Sequence, residues 1–207
     1  MSLELWLAFV AASSVLLAIP GPTVILVLGY ARSQGRRVAR ATALGVALGD
    51  FIAMTVSLLG LGALVLASAA LFTALKWVGA VYLIWLGIKL LRSRPEGGLG
   101  EQIATDLPAK GIFVHAAAVT ALNPKSIAFF IAFVPQFLRA EAPLAAQFTV
   151  LIATFVGLAT LNALAYALLG SHMRDRMRRP AVRRGLSRLG GGALIAMGLL
   201  AATLRRA

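Results

Sequence analysis

Two ionisable side chains stand deep inside apolar stretches of the sequence, Asp50 in "GVALGDFIAM" and Lys125 in "ALNPKSIAFF". At the centre of a bilayer helix each such charge costs about 2.5 to 3.5 kcal/mol. Groups of this kind face protein or water and commonly pair, so Asp50 and Lys125 are expected to face one polar cavity. An aspartate there can hold an ammonium or take up a proton, and a lysine can hold a carboxylate. With a single carboxylate inside the apolar runs, two-carboxylate acid–base chemistry does not arise. The plainer alternative is an internal ion pair that only locks helices together.

Two prolyl breaks lie at related places, "IPGPTVI" at 19–25 and "LNPKSIA" at 122–128. Proline inside a helix removes a hydrogen bond and displaces the carbonyl four residues earlier. Pro20 and Pro22 would free the carbonyls of Leu16 and Ala18, and Pro124 that of Thr120. Proline is well placed, however, as the first residue of a new helix behind a capping residue. Asn123-Pro124 fits that pattern well and Gly21-Pro22 less strongly. Each break is then the start of a half-helix, with free N–H groups and the positive dipole end turned inward, a setting that suits an anion. The candidate substrate-binding set is Gly21, Pro22, Thr23, Asp50, Asn123, Pro124 and Lys125, with Asp50 also the candidate for proton coupling. Thr23 has an equal alternative, a bond to a carbonyl of its own helix, and Ser126 is left open.

The elements that position these residues follow from composition. Of the 207 residues, 60% are hydrophobic and 13% charged, against about a quarter charged in soluble domains. This is a membrane composition, read as a single all-α transmembrane domain over 1–207. Six stretches reach or approach the roughly 20 residues a crossing needs: 3–29, 41–67, 71–91, 111–138, 145–170 and 189–204. The start of the last is obscured by Gly190–Gly192. The N-terminus has no basic segment before its apolar run and reads as a retained first span. At 1.5 Å per residue, Pro22, Asp50, Asn123, Lys125 and Asn162 lie roughly 10 to 21 Å from the cytoplasmic ends of their spans, in one band of depth.

The net charge of +13 comes from asymmetric loops. Fourteen Lys and Arg lie in loops one, three and five, among them Arg32, Arg36, Arg37, Arg40, Arg94 and the run from Arg174 to Arg188, against four on the other side (Lys76, Arg139, Arg205 and Arg206). By the positive-inside rule those loops are cytoplasmic and both termini lie outside the cytoplasm. The charge also favours anionic headgroups. It does not point to nucleic acid, because the aromatics lie in apolar runs and not among the arginines. Lys89, near a span end, is expected to snorkel; Trp77, Tyr82 and Trp85 read as interface or packing aromatics; residues 94–111 read as a flexible loop. His115 and His172 read as packing or interfacial residues. Cysteine is absent, and no HExxH, GxSxG or phosphate-binding motif appears. No cofactor, metal or catalytic residue is expected.

The halves echo each other: Gly-Pro and then Asp50 in spans one to three, Asn-Pro and then Asn162 in spans four to six. Three spans per half make the second half inverted, and inverted repeats whose broken helices meet centrally are a transporter architecture. Small residues recur every fourth place at Ala41, Gly45, Gly49, Ala53 and Ser57. Such a stripe permits close helix approach, within the bundle or at a dimer contact.

Three ordered runs carry a resemblance. "IPGPTVILVLGYARSQGRRVARATALGVALGD", "LKWVGAVYLIWLGIKLLRS" and "GIFVHAAAVTALNPKSIAFFIAFVPQF" together resemble the lysine exporter (LysE/RhtB) family of amino-acid efflux proteins, over most of the chain and more loosely in its last third. The resemblance implies a six-helix exporter in the bacterial inner membrane, moving amino acids or related small metabolites, coupled to proton entry and often homodimeric. It assigns importance to Pro20, Gly21, Pro22, Asp50, Asn123, Pro124 and Lys125, which stand at the matching positions. The alternatives are a metal-ion exporter of related architecture, which would want several buried ligands, and a membrane-embedded enzyme.

Overall fold

The computed structural model describes residues 1–19, 21–30, 35–92, 107–139, 142–168 and 179–203. Pro20, His172, most of the 94–111 loop and the basic residues Arg32, Arg94, Arg174, Arg176, Arg178, Arg205 and Arg206 lie outside the described residues. Within them the chain forms eight α-helices and a 3-10 turn, with no strand: α1 Leu3–Ala18, α2 Pro22–Tyr30, α3 Gly35–Ala67, α4 Ala69–Arg92, α5 Ala109–Ala121, α6 Pro124–Ala132, the turn Val134–Phe137, α7 Leu144–Leu168 and α8 Pro180–Thr203.

Four helices, α3, α4, α7 and α8, are each long and apolar enough to cross a membrane. The pairs α1/α2 and α5/α6 reach that length together, bent by 60° and 43° at their breaks. Counting each bent pair as one crossing gives up to six. The order bent pair, long helix, long helix occurs twice, and three crossings per set turn the second set over relative to the first.

Two helices begin well before the apolar stretches that announced them. α3 starts at Gly35 rather than 41, and α8 at Pro180 rather than 189. Arginines that read as loop, such as Arg37, Arg40, Arg184 and Arg188, therefore sit on early helical turns. Arginine is a good helix former, and its long stem lets a helix run on past the hydrocarbon while the charge stays in water. The Gly190–Gly192 run also lies inside α8 and does not start it. A Cβ on Gly191 would come within 2.7 Å of the Gly87 carbonyl oxygen, and one on Gly87 within 2.6 Å of the Gly191 oxygen. Glycine weakens a helix by about 1 kcal/mol against alanine; here it lets the α4 and α8 backbones touch.

The small-residue stripe on α3 serves the bundle itself. A Cβ on Gly45 would run into the Phe113 oxygen, and one on Gly49 would meet the Ala117 oxygen at 2.6 Å. α3 thus lies directly on α5, which fixes Asp50, next to Gly49, relative to the second break. Beyond the breaks the bundle is filled by Phe9, Phe129, Phe130, Phe133, Phe137 and Phe155, whose rings pack at centroid distances of 4.8 to 6.1 Å, several edge to face. Such pairs contribute beyond their buried area.

Candidate functional site

The second break is dictated by its own residues. α5 ends at Ala121, and Asn123 turns to an extended conformation (φ −70°, ψ 108°) as the cap of α6. Its Oδ1 accepts from the Lys125 N–H at 3.1 Å, and its own N–H donates to the Thr120 carbonyl at 3.1 Å. The carbonyl that Pro124 would have orphaned is therefore bonded. At the first break α1 ends at Ala18, Ile19 is extended, and α2 opens on Pro22, with the Ile25 N–H donating to the Gly21 oxygen at 3.0 Å.

The two breaks are tied to each other. Lys125 Nζ donates to the carbonyls of Leu16 at 3.0 Å and Ile19 at 2.9 Å. A buried cation thus sits on the C-terminal end of α1, where the helix dipole is negative. Asn162 Nδ2, from α7, donates to the Leu17 oxygen at 3.2 Å. Asn123 Nδ2 donates to Thr23 Oγ1 at 3.2 Å, and Thr23 Oγ1 lies 3.4 Å from Thr120 Oγ1. Thr23 therefore links the two half-helices, and among the described residues its hydroxyl bonds no carbonyl.

Where the breaks cross, Gly21, Thr23, Asn123, Lys125 and Ser126 enclose a cavity of about 30 Å³ together with Asp50, Asn162 and Tyr166. Asp50 is 2% exposed and Lys125 8%. Lys125 directs two of its three N–H donors to the α1 carbonyls and forms no ion pair with Asp50. Among the described residues no hydrogen-bond donor reaches the Asp50 carboxylate. The cavity lining thus holds both an acid and a base, Asp50 on α3 and Lys125 at the start of α6, and the first-turn N–H groups of Thr23, Val24 and Ser126 have no acceptor within their helices.

Of the expected set, Gly21, Thr23, Asp50, Asn123 and Lys125 come together on this cavity. Pro22 and Pro124 instead line a second cavity of about 390 Å³ between α2, α4, α6 and α8. Tyr166 was missed, although it follows Asn162 by four residues and so shares its face of α7. His115 stands apart, its Nδ1 at 2.7 Å from Tyr30 Oη, joining the end of α2 to α5. Lys89 is exposed, as are Trp77 and Trp85, and its ammonium lies 5.1 Å from the Trp85 ring centroid. No group of three or more His, Cys, Asp or Glu among the described residues could hold a metal ion.

Paired broken helices that meet over buried ionisable groups, inside a bundle of membrane-length helices, define the class of multi-pass translocators. The LysE type translocator family model matches residues 14–205, and the chain belongs to that family. It is 32% identical over 208 residues, 100% of both chains, to a homoserine/homoserine lactone efflux protein of Salmonella typhi. Identity is 30% over 205 residues to an uncharacterized membrane protein of Vibrio cholerae, 99% of this chain and 100% of that one. To a leucine efflux protein of Klebsiella pneumoniae it is 29% over 137 residues, 66% of this chain and 65% of that one. No solved structure matches the chain.

Proposed function

We propose that the protein exports amino acids or closely related metabolites across the bacterial inner membrane by alternating access, with protons as the coupling ion. The observation that carries this reading is the cavity at the crossed breaks, whose lining holds a buried carboxylate, Asp50, and a buried ammonium, Lys125, beside the starts of two half-helices. That is the charge arrangement of a zwitterion in reverse. The relatives named for homoserine and leucine efflux support the same substrate class.

In this mechanism the substrate carboxylate lies against the starts of α2 and α6, where first-turn N–H groups and the Lys125 ammonium stand. The ammonium reaches Asp50. Release on the outer side leaves Asp50 to take up a proton, which it gives up on the inner side before the next substrate binds. The phenylalanine cluster closes the path on the side where α1 and α7 begin, taken as the outer face from the loop charges, with both termini there. At about 30 Å³ the cavity has room for about two waters, so this is an occluded conformation that must open to load. Anionic lipid around the basic loops and a homodimeric assembly belong to the same proposal; no enzymatic step does.

The test is efflux of labelled amino acids from proteoliposomes with and without an imposed proton gradient, for the wild type and Asp50→Asn. The wild type is expected to export against a concentration gradient only when protons can return. Asp50→Asn is expected to fold and lose uphill export. Uphill export by a folded Asp50→Asn protein would overturn the coupling role.

A further inference from the structure

We propose that the cavity of about 390 Å³ between α2, α4, α6 and α8 receives the side chain of the transported amino acid, so that the protein selects uncharged, apolar side chains. The inference rests on the preceding reading of the small cavity as the site for the amino and carboxyl groups. That cavity is too small for a whole amino acid, so the remainder of any substrate needs adjoining space.

The adjoining space is the second cavity, and the two share walls: Gly21, Asn123 and Lys125 line both. Gly21 has no side chain to fill the partition, and a Cβ there would stand 3.3 Å from Lys125 Nζ. An alanine at this position would press on the lysine that ties the breaks together. The volume of the second cavity lies within the range of about 300 to 1,000 Å³ typical of small-molecule sites.

The lining sets the chemistry. Ile19, Ile25, Leu86 and Leu194 form an apolar wall, and Trp85 and Lys89 stand at its exposed side. Among the described residues no carboxylate lines the cavity, and its two charged groups, Lys89 and Lys125, are both cationic. A lysine or arginine side chain would find no counter-charge and two like charges. An acidic side chain would lose its hydration against Ile19, Ile25, Leu86 and Leu194, with Lys89 only at the rim. A leucine-like side chain loses nothing and gains apolar contact.

The experiment is a competition series in proteoliposomes, with inhibition of labelled leucine transport by glycine, alanine, valine, leucine, lysine and glutamate. It is repeated in Ile25→Trp and Leu86→Trp, each of which fills the cavity from a different helix. In the wild type, potency is expected to rise with apolar side-chain size and to be at least about tenfold higher for leucine than for glycine, lysine or glutamate, the factor set by burial of one leucine side chain. Each tryptophan variant is expected to lower the leucine-to-alanine ratio about tenfold while alanine transport persists. Equal potency of lysine and leucine in the wild type overturns the inference, and that arm needs no variant to fold. Folded variants with an unchanged leucine-to-alanine ratio overturn it as well, and point to lipid acyl chain as the occupant of the cavity. Both results leave amino-acid export standing. A wild type that moves no amino acid defeats the export reading and this one together.

Discussion

Replacing Lys125 by methionine keeps an unbranched side chain one atom shorter and removes the ammonium, and the bonding around Nζ sets the size of the effect. Two charge-assisted bonds disappear, to the Leu16 and Ile19 carbonyls at 3.0 and 2.9 Å. Each such bond contributes about 1.5 to 3 kcal/mol, but burying the ammonium costs several kcal/mol, so these largely offset. What remains is the acceptor left behind. Leu16 keeps a bond from the Ile19 N–H at 3.3 Å, whereas Ile19 loses its Lys125 donor. An orphaned acceptor costs about 1 to 3 kcal/mol, and that is the expected loss of stability, read by thermal unfolding in detergent. Transport is expected to fall to background, because the substrate carboxylate loses its cation. Lys125→Arg is expected not to restore it: Gly21 already approaches Nζ to the point where a Cβ would lie 3.3 Å away, and a guanidinium is wider than an ammonium. Full transport by Lys125→Met, or rescue by Lys125→Arg, would refute the assignment.

Gly49→Ala places a Cβ at 2.6 Å from the Ala117 oxygen and 2.7 Å from Thr120 Cβ. The expected loss is about 1 to 3 kcal/mol, with transport impaired because Asp50 and Thr120 move; Gly60→Ala, with nothing within 4 Å on the same helix, is expected to be neutral or to stabilise by about 0.5 to 1 kcal/mol. Parallel thermal melts compare the two, and equal effects would contradict the packing argument. Asn123→Ala removes the cap of α6 and the bond to Thr23 and is expected to cost roughly 0.5 to 2 kcal/mol. Asn123→Asp keeps the cap acceptor yet removes the Nδ2 donor, so its melting temperature is expected to exceed that of the alanine variant while its transport stays low.

The breaks were readable from sequence because proline acts locally: Asn123-Pro124 specifies a cap and a helix start whatever surrounds it. Asp50 and Lys125 stood out because a bilayer makes any charge in an apolar run expensive. The partner of Lys125 was not readable, since backbone carbonyls carry no residue signature and only the tertiary crossing of α1 and α6 brings them to the ammonium. Tyr166 was hidden because an aromatic inside an apolar run looks like packing, although its spacing from Asn162 was a usable signal. The early starts of α3 and α8 escaped notice because arginine-rich first turns lack apolar periodicity. The glycines of α3 were open between internal and external contact until α5 was seen lying on Gly45 and Gly49.

The central claim is that one cavity reads both ends of a zwitterion, with Asp50 on the ammonium and Lys125 with the half-helix N–H groups on the carboxylate. Competition of labelled leucine transport by leucinamide and by N-acetylleucine, in the wild type and in Asp50→Asn under conditions of downhill exchange, tests it most directly. Both derivatives are expected to compete poorly in the wild type, and in Asp50→Asn the penalty for losing the ammonium is expected to vanish while the penalty for losing the carboxylate persists. An Asp50→Asn protein that still rejects N-acetylleucine as strongly as the wild type, relative to leucine, would contradict the account.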